Sequence, residues 1–395
     1  MVKIKLIKMK LVKIFYFVFG IFILSNFQSY SQWSILNAEA DSIVLKGMDY
    51  VYNLEFAQAE ECFAAVQKKY PEHPAGYFLD AMMYWWKILI DKPNQSQYKK
   101  TFLDKIAKTI SICDKLLEQN PANINALFFK AGAIGYRGRF YVEDENWINA
   151  VKDGNTAFDL LILCLKIAPN NHDVMLGTGI YNYFAAAIPE KYPIVKPMML
   201  LLPSGDKKIG EMQLKAAAKN ARYTKVEAKV VLMQLYYIFE NRPSECLAVI
   251  EELHKNYPNN SYFKKYYART LVRVGAWSIF EDVWREILVD CIAKKYGYGN
   301  ELARESMYYI AMALQRKGEY EQALKYYYKC DEGSRSLDKK GSSGFMVMTN
   351  LNIGKIYDKQ GKRELAVSQY KKVLNMNDYK GSHTEAQKYI EGAYK

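Results

Sequence analysis

Along the C-terminal run GKIYDKQGKRELAVSQYKKVL (Gly354 to Leu374), apolar positions recur at three- and four-residue intervals on either side of a polar break at Gly361. That period predicts two helices joined by a tight turn. Small residues, Gly354 and Ala366, stand where the two helices must cross, with Tyr357 and Tyr370 close by. The same offsets return in GMDYVYNLEFAQAEECFAAVQKKYP, where Gly47, Tyr50, Ala59, Phe63 and Val66 match Gly354, Tyr357, Ala366, Tyr370 and Val373. A third copy, AMALQRKGEYEQALKYYYKC, supplies Ala311, Leu314, Gly318, Ala323, Tyr327 and Cys330. Recurrence at a fixed spacing is the mark of a repeat architecture.

The spacing has a packing reason. Two helices approach closely only where the crossing residue is small, and the neighbouring ring fills the space so opened. Gly318 and Gly361 suit the inter-helix turns because glycine tolerates positive φ. Weaker copies fill the middle of the chain: Ala81, Tyr84, Cys113 and Leu116; Ala131, Ala157, Leu161 and Cys164; Tyr237, Cys246, Ile250 and Leu253; Ala268, Leu271, Phe280, Trp284 and Ile287. The stretch DVMLGTGIYNYFAAA pairs with IGEMQLKAAAKNA, whose start Asp206 is expected to cap. Eight units are predicted, starting at residues 40, 74, 124, 172, 227, 261, 304 and 347, several of them carrying insertions.

On these residues the chain resembles the tetratricopeptide repeat (TPR) family, whose unit of about 34 residues carries small–x–x–aromatic in its first helix and Ala–x–x–x–aromatic–x–x–small in its second. The resemblance implies an all-α fold: a right-handed α-solenoid of about eight TPR-like helix hairpins over residues 40–380. Residues 381–395 are predicted to be a C-terminal capping helix, because a repeat stack needs a polar end.

The N-terminus reads differently. Lys3, Lys5, Lys8, Lys10 and Lys13 precede the apolar run IFYFVFGIFILS, and SYSQ places Ser29 and Ser31 before Gln32. This is the order of a secretory signal peptide, residues 1–31, with residues 32–39 as a linker. The apolar run is shorter than the ~20 residues of a membrane span, although an uncleaved anchor is the other reading. Removing residues 1–31 deletes five lysines and no acid, so the formal charge of +13 falls to +8. The basicity is thus largely export-related, and no nucleic-acid partner is expected. The expected location is the periplasm, the outer membrane or the exterior. The export end and the Lys-, Tyr- and Asn-rich composition resemble those of exported proteins of the Bacteroidetes.

Little chemistry is visible. His73, His172, His254 and His383 show no metal-ligand spacing, and GTG at Gly177–Gly179 follows no strand as a phosphate loop would. EDEN, residues 143–146, lacks the alternation of a calcium loop. The six cysteines form no C-x-x-C, and those at small-residue positions read as buried thiols acting as small hydrophobes. No enzyme activity and no cofactor are expected.

The resemblance also implies a concave wall built from positions 2, 5, 9, 12 and 13 of each first helix. In the first five units these give an apolar groove that includes Phe78, Met82, Trp85, Trp86, Phe128, Tyr136, Tyr183 and Phe184, too large to leave wet. In the last three they give a basic stretch of Lys265, Arg269, Arg273, Arg316 and Lys355. The leading expectation for the groove is a plug formed by the proline-rich insertion AIPEKYPIVKPMMLLLP, residues 187–203, whose prolines forbid a continuous helix. An external apolar ligand and closure of the superhelix on itself are the other two. The resulting expectation is a non-catalytic scaffold of the cell envelope that binds a protein or peptide, acidic where it meets the cations. An envelope carrier of an apolar ligand, or a glycan-binding accessory protein, is the alternative.

Overall fold

The computed structural model describes residues 35–199 and 203–395, so the expected signal peptide and most of the linker lie outside the described residues. The described residues hold seventeen helices of ten residues or more, one four-residue helix and no strand. In chain order they are α1 (Ala38–Tyr52), α2 (Phe56–Lys69), α3 (Ala75–Ile90), α4 (Gln95–Gln119), α5 (Ile124–Glu143), α6 (Trp147–Ile167), α7 (His172–Lys191), the short α8 (Lys196–Met199), α9 (Lys207–Asn220) and α10 (Lys225–Gln234). After them come α11 (Pro243–Asn256), α12 (Ser261–Val274), α13 (Phe280–Ile292), α14 (Asn300–Arg316), α15 (Tyr320–Leu337), α16 (Gly344–Lys359), α17 (Arg363–Leu374) and α18 (Ser382–Glu391).

Consecutive helices pack into eight hairpins, α1/α2, α3/α4, α5/α6, α7/α9, α10/α11, α12/α13, α14/α15 and α16/α17, with α18 against the last. Asparagine caps recur at the hairpin starts: Asn37, Asn123, Asn171 and Asn260 each accept a backbone N–H of the first turn. Asp206 caps α9 through Lys208 N and Ile209 N. Each cap satisfies donors that a helix start leaves without a partner.

The crossings follow the packing logic. A β-carbon added at Gly354 would lie 2.5 Å from Cε1 of Tyr370, and one at Gly47 would lie 2.6 Å from Cε1 of Phe63. Ala311, Ala323 and Tyr327 of the third copy are all fully buried. Gly318 and Gly361 hold φ of +80° and +71° in the inter-helix turns. Gly177 and Gly179 serve the same close packing, against Leu161 on one side and against Gly210 and Leu214 on the other. Replacing Gly354 by Ala is expected to cost about 1–3 kcal/mol by overpacking, since Tyr370 is fixed by its bond to Asp358. Urea unfolding of the Gly354→Ala chain measures it, and a loss under about 0.5 kcal/mol would mean that the ring has room to move.

All six cysteines are unpaired. Burial, the largest influence on each, pushes the thiols of Cys113 and Cys164 up to about 12 and that of Cys330 to about 11. They therefore behave as small apolar groups and not as nucleophiles.

Two features differ from the sequence reading. Helix α7 runs through Pro189 to Lys191, and the break comes only at Tyr192, before a 3-10 turn at Pro193–Val195. A proline in the last turn forfeits one backbone bond and leaves the rest of the helix intact. The second concerns the groove: a plug is the leading expectation, and the stack instead closes on itself, one of the two other outcomes expected. The Asn260 side chain donates to Tyr52 O at 2.8 Å, the Tyr257 hydroxyl to Asp49 at 3.1 Å, and Ile35 N to the Tyr223 hydroxyl at 2.9 Å. The Trp86 ring meets Tyr262 and Phe263 edge-on at 5.9 and 5.5 Å. Hairpins one and two thus touch hairpins five and six, and one large apolar core spans Ile35 to Phe263, with a smaller cluster of Leu127, Ala131, Leu161, Cys164 and Val174 beside it. Hairpins seven and eight continue beyond this ring, around a core that hairpin seven shares with hairpin six and a smaller one in hairpin eight.

Candidate functional site

Inside the ring lies a cavity of about 460 Å³. The first helices of hairpins one to five supply most of its wall: Met48 and Tyr52 from α1, Phe78, Met82 and Trp86 from α3, Phe128 and Tyr136 from α5, Ile180 and Phe184 from α7, and Val231 from α10. Ile238 and Phe239 join them because a π-helical turn, Leu235–Phe239, ends α10. The wider turn shifts the phase of those side chains relative to an α-helix. Six of the eight residues expected in the groove, Phe78, Met82, Trp86, Phe128, Tyr136 and Phe184, face this space. Trp85 and Tyr183 stand behind it, fully buried, Trp85 against Phe102 and Tyr183 donating to Glu240.

Among the described residues the expected plug does not fill the cavity, and its residues 200–202 lie outside the described residues. Ile188, Tyr192, Val195 and Met199 of the insertion line one end of the space and leave the rest open. The physical reason is closure: once hairpins one and six meet, the ring already hides the inner wall.

Three charged residues line the cavity: Asp173, whose carboxylate takes the backbone N–H groups of Arg222, Tyr223 and Thr224, then Glu227 and Arg139. The Glu227 carboxylate, at the start of α10, accepts from the Trp86 indole at 3.0 Å, the Tyr136 hydroxyl at 3.0 Å and the Tyr52 hydroxyl at 3.3 Å. One acidic group therefore ties α1, α3 and α5 to α10. Burial first, and the Glu227 charge after it, hold both phenols far above the ordinary tyrosine range, so they stay protonated and donate. Further along the same helices, Arg139 donates to the Gln234 side chain at 3.1 Å and lies 4.9 Å over the Trp85 ring. Gln234 passes the contact on to the Tyr262 hydroxyl at 2.8 Å.

The basic stretch divides by position. Arg269 is spent on Glu305 through two bonds of 2.6 Å, and Lys355 on Glu385 at 2.6 Å. Lys265 lies inside the superhelix over Tyr262 and Tyr266, and burial, then Arg269, hold its ammonium down at about 8. Arg273 and Arg316 are different. Both are exposed, each lies over a ring, Tyr237 at 3.4 Å and Trp277 at 3.7 Å, and neither has a carboxylate within ion-pair distance among the described residues. Lys359, exposed and 5.6 Å from the Tyr394 ring, occupies the same thirteenth position one unit further on. Counting in register from residues 261, 304 and 347 reaches all three. The fixed set of wall positions passes over Arg139, because α5 runs beyond it, and Glu227, the first residue of its unit.

Among the described residues no three His, Cys, Asp or Glu side chains converge as metal ligands, and no helix is long and apolar enough to cross a membrane.

A tetratricopeptide repeat family model matches residues 305–331, which cover most of α14 and the first part of α15. No curated protein matches the chain in sequence. Among solved structures, Pseudomonas aeruginosa PilF is similar at 14% identity over 65% of this chain and 96% of its own, with a TM-score of 0.41. A thermophilic TPR protein of Thermus thermophilus is similar at 17% identity over 59% and 99%, with a TM-score of 0.36. A TPR protein of Parabacteroides merdae covers 90% of this chain and 100% of its own at 13% identity and a TM-score of 0.27. By its eight helix hairpins, its small-residue crossings and the repeat at residues 305–331, the chain is an all-α helical-repeat protein similar to the tetratricopeptide repeat proteins.

Proposed function

We propose that the chain is a non-catalytic scaffold of the cell envelope that grips an acidic segment of a protein or peptide partner with Arg273, Arg316 and Lys359. TPR-like folds commonly mediate protein–protein contacts and are generally non-catalytic. The observation that carries the finer reading is the column of three exposed cations at one repeat position, each over a ring and none with an acidic partner, while Arg269 and Lys355 one turn earlier are neutralised. A guanidinium already stacked on an aromatic face loses little side-chain freedom when a carboxylate arrives, and Arg273, which gives one N–H to Tyr237 O, has further donors for it. The envelope location rests on the signal-like order of residues 1–31.

A synthetic Asp/Glu-rich decapeptide tests the reading. With Arg273→Glu and Arg316→Glu combined, its affinity is expected to fall about ten-fold or more at low ionic strength, and the difference is expected to shrink at about 0.5 M salt. Arg269→Gln removes a cation already spent on Glu305 and should change the affinity by no more than about two-fold. Equal binding by the doubly reversed chain would sink the proposal. The carrier alternative bears on the cavity, which is a different surface.

A further inference from the structure

We propose that the cavity within the ring is a binding site for a single-chain amphiphile with an anionic head, its tail among the aromatic and aliphatic walls and its head on Arg139. The inference goes beyond the scaffold reading and does not depend on it. Three observations converge on it. The space, about 460 Å³, falls in the ~300–1,000 Å³ range of small-molecule sites, with walls that water would wet poorly. Its three charged groups are differently placed, and Asp173 is taken up by the Arg222, Tyr223 and Thr224 donors. Glu227 is satisfied by three donors from the protein itself. Arg139 has five N–H groups, and among the described residues only one has a hydrogen-bond partner, the neutral Gln234. No carboxylate of the described residues lies within ion-pair distance of Arg139.

A guanidinium on an apolar wall selects a ligand that brings an anion together with apolar surface. Arg139 stacks on Trp85, which holds the guanidinium plane in place, and Gln234 fixes one edge. The remaining edges suit a carboxylate or phosphate in paired hydrogen bonds. Tyr136, one turn before Arg139, and Gln234, two turns after Glu227, show that α5 and α10 run in the same direction along the cavity, since Tyr136 pairs with Glu227 and Arg139 with Gln234. The head therefore sits about one turn along from the Glu227 cluster, and the tail has the Phe128, Ile180 and Phe184 walls to fill.

The full chain, purified without detergent, is titrated with palmitate and with hexadecanol, which share a tail and differ in the charge of the head. Quenching of Trp86 and Trp147, both on the cavity wall, reports occupancy. Palmitate is expected to bind one to one and at least about ten-fold more tightly than hexadecanol. Arg139→Met is expected to abolish that preference while keeping hexadecanol binding. Gly154→Leu provides a second arm, because Gly154 lines the cavity in α6 and a β-carbon there meets nothing within 4 Å. The larger side chain takes up ligand space and favours the helix, so it should weaken both probes about ten-fold or more with the thermal midpoint unchanged or raised. Palmitate binding that survives both substitutions, or a wild-type chain that binds neither probe, would overturn the proposal. Because Gly154→Leu should leave the acidic decapeptide bound, and charge reversal at Arg273 and Arg316 should leave palmitate bound, either proposal can fail alone.

Discussion

Replacing Trp86 by alanine is expected to destabilise the chain by about 3–5 kcal/mol, the range for truncating a large buried aromatic. The indole is 1% exposed and sits at the seam where α3 meets α12. Its faces and edges meet Tyr52, Tyr262 and Phe263, and its N–H is one of the three donors to Glu227. The variant therefore loses packing across the closure and leaves a buried carboxylate short of a donor, which adds to the cost. Trp86→Phe keeps most of the ring contact and should lose about 1 kcal/mol, the value of the indole hydrogen bond. Urea unfolding gives the two losses, and small-angle scattering should show a larger radius of gyration for Trp86→Ala alone. If the alanine variant keeps both its midpoint and its size, the seam is held elsewhere and Trp86 is not its centre.

Removing the carboxylate of Asp173 should cost a similar amount, about 3–5 kcal/mol, because it strips a buried charged acceptor from several donors at once. Asp173 lies at the start of α7 and accepts from Arg222 N at 3.2 Å and from Tyr223 N and Thr224 N at 2.8 Å, with the Thr224 hydroxyl at 3.1 Å. These donors are the loop that feeds α10. The same loop turns Arg222 and Tyr223 onto Asp41 of α1, so the two aspartates together fix hairpin five against hairpins four and one. In Asp173→Ala the backbone donors of Tyr223 and Thr224 lose their acceptor, and buried donors without partners are costly. Asp173→Asn retains one oxygen and should cost less than half as much. Hydrogen exchange locates the effect: the Tyr223 and Thr224 amides should lose protection first, and a uniform loss across all hairpins would argue against a local anchor.

Much of the architecture was legible because it is written in local spacing. Gly47 opposite Phe63 and Gly354 opposite Tyr370 are separated by sixteen residues in both cases, close enough for a pattern to reveal the pair. Starts expected at residues 124, 172 and 261 coincide with Ile124, His172 and Ser261, each preceded by a capping asparagine. The inner wall was legible for the same reason, since a helix of known register presents a known face. Closure stood only as one of three ways to cover the groove, because Asn260 and Tyr52 are 208 residues apart and nothing in either local pattern names the other. The neutralisation of Arg269 and Lys355 was hidden likewise: Glu305 and Glu385 sit on later elements, so a row of cations in the sequence became two salt bridges and an exposed column. Trp85 and Trp86 show the limit at its finest, as adjacent indoles that fall on opposite sides of the cavity wall.

In an open solenoid each hairpin contacts only its neighbours, so every stretch of chain can settle as soon as the next one is made. Here Tyr52 must wait for Asn260, 208 residues later. At the ~5–20 residues per second of synthesis, that delay is roughly 10–40 s, during which the inner faces of the first hairpins stand uncovered. A nascent chain of this design needs protection from sticky encounters until its sixth hairpin has emerged, and a ribosome stalled before that point would hold a half-built ring.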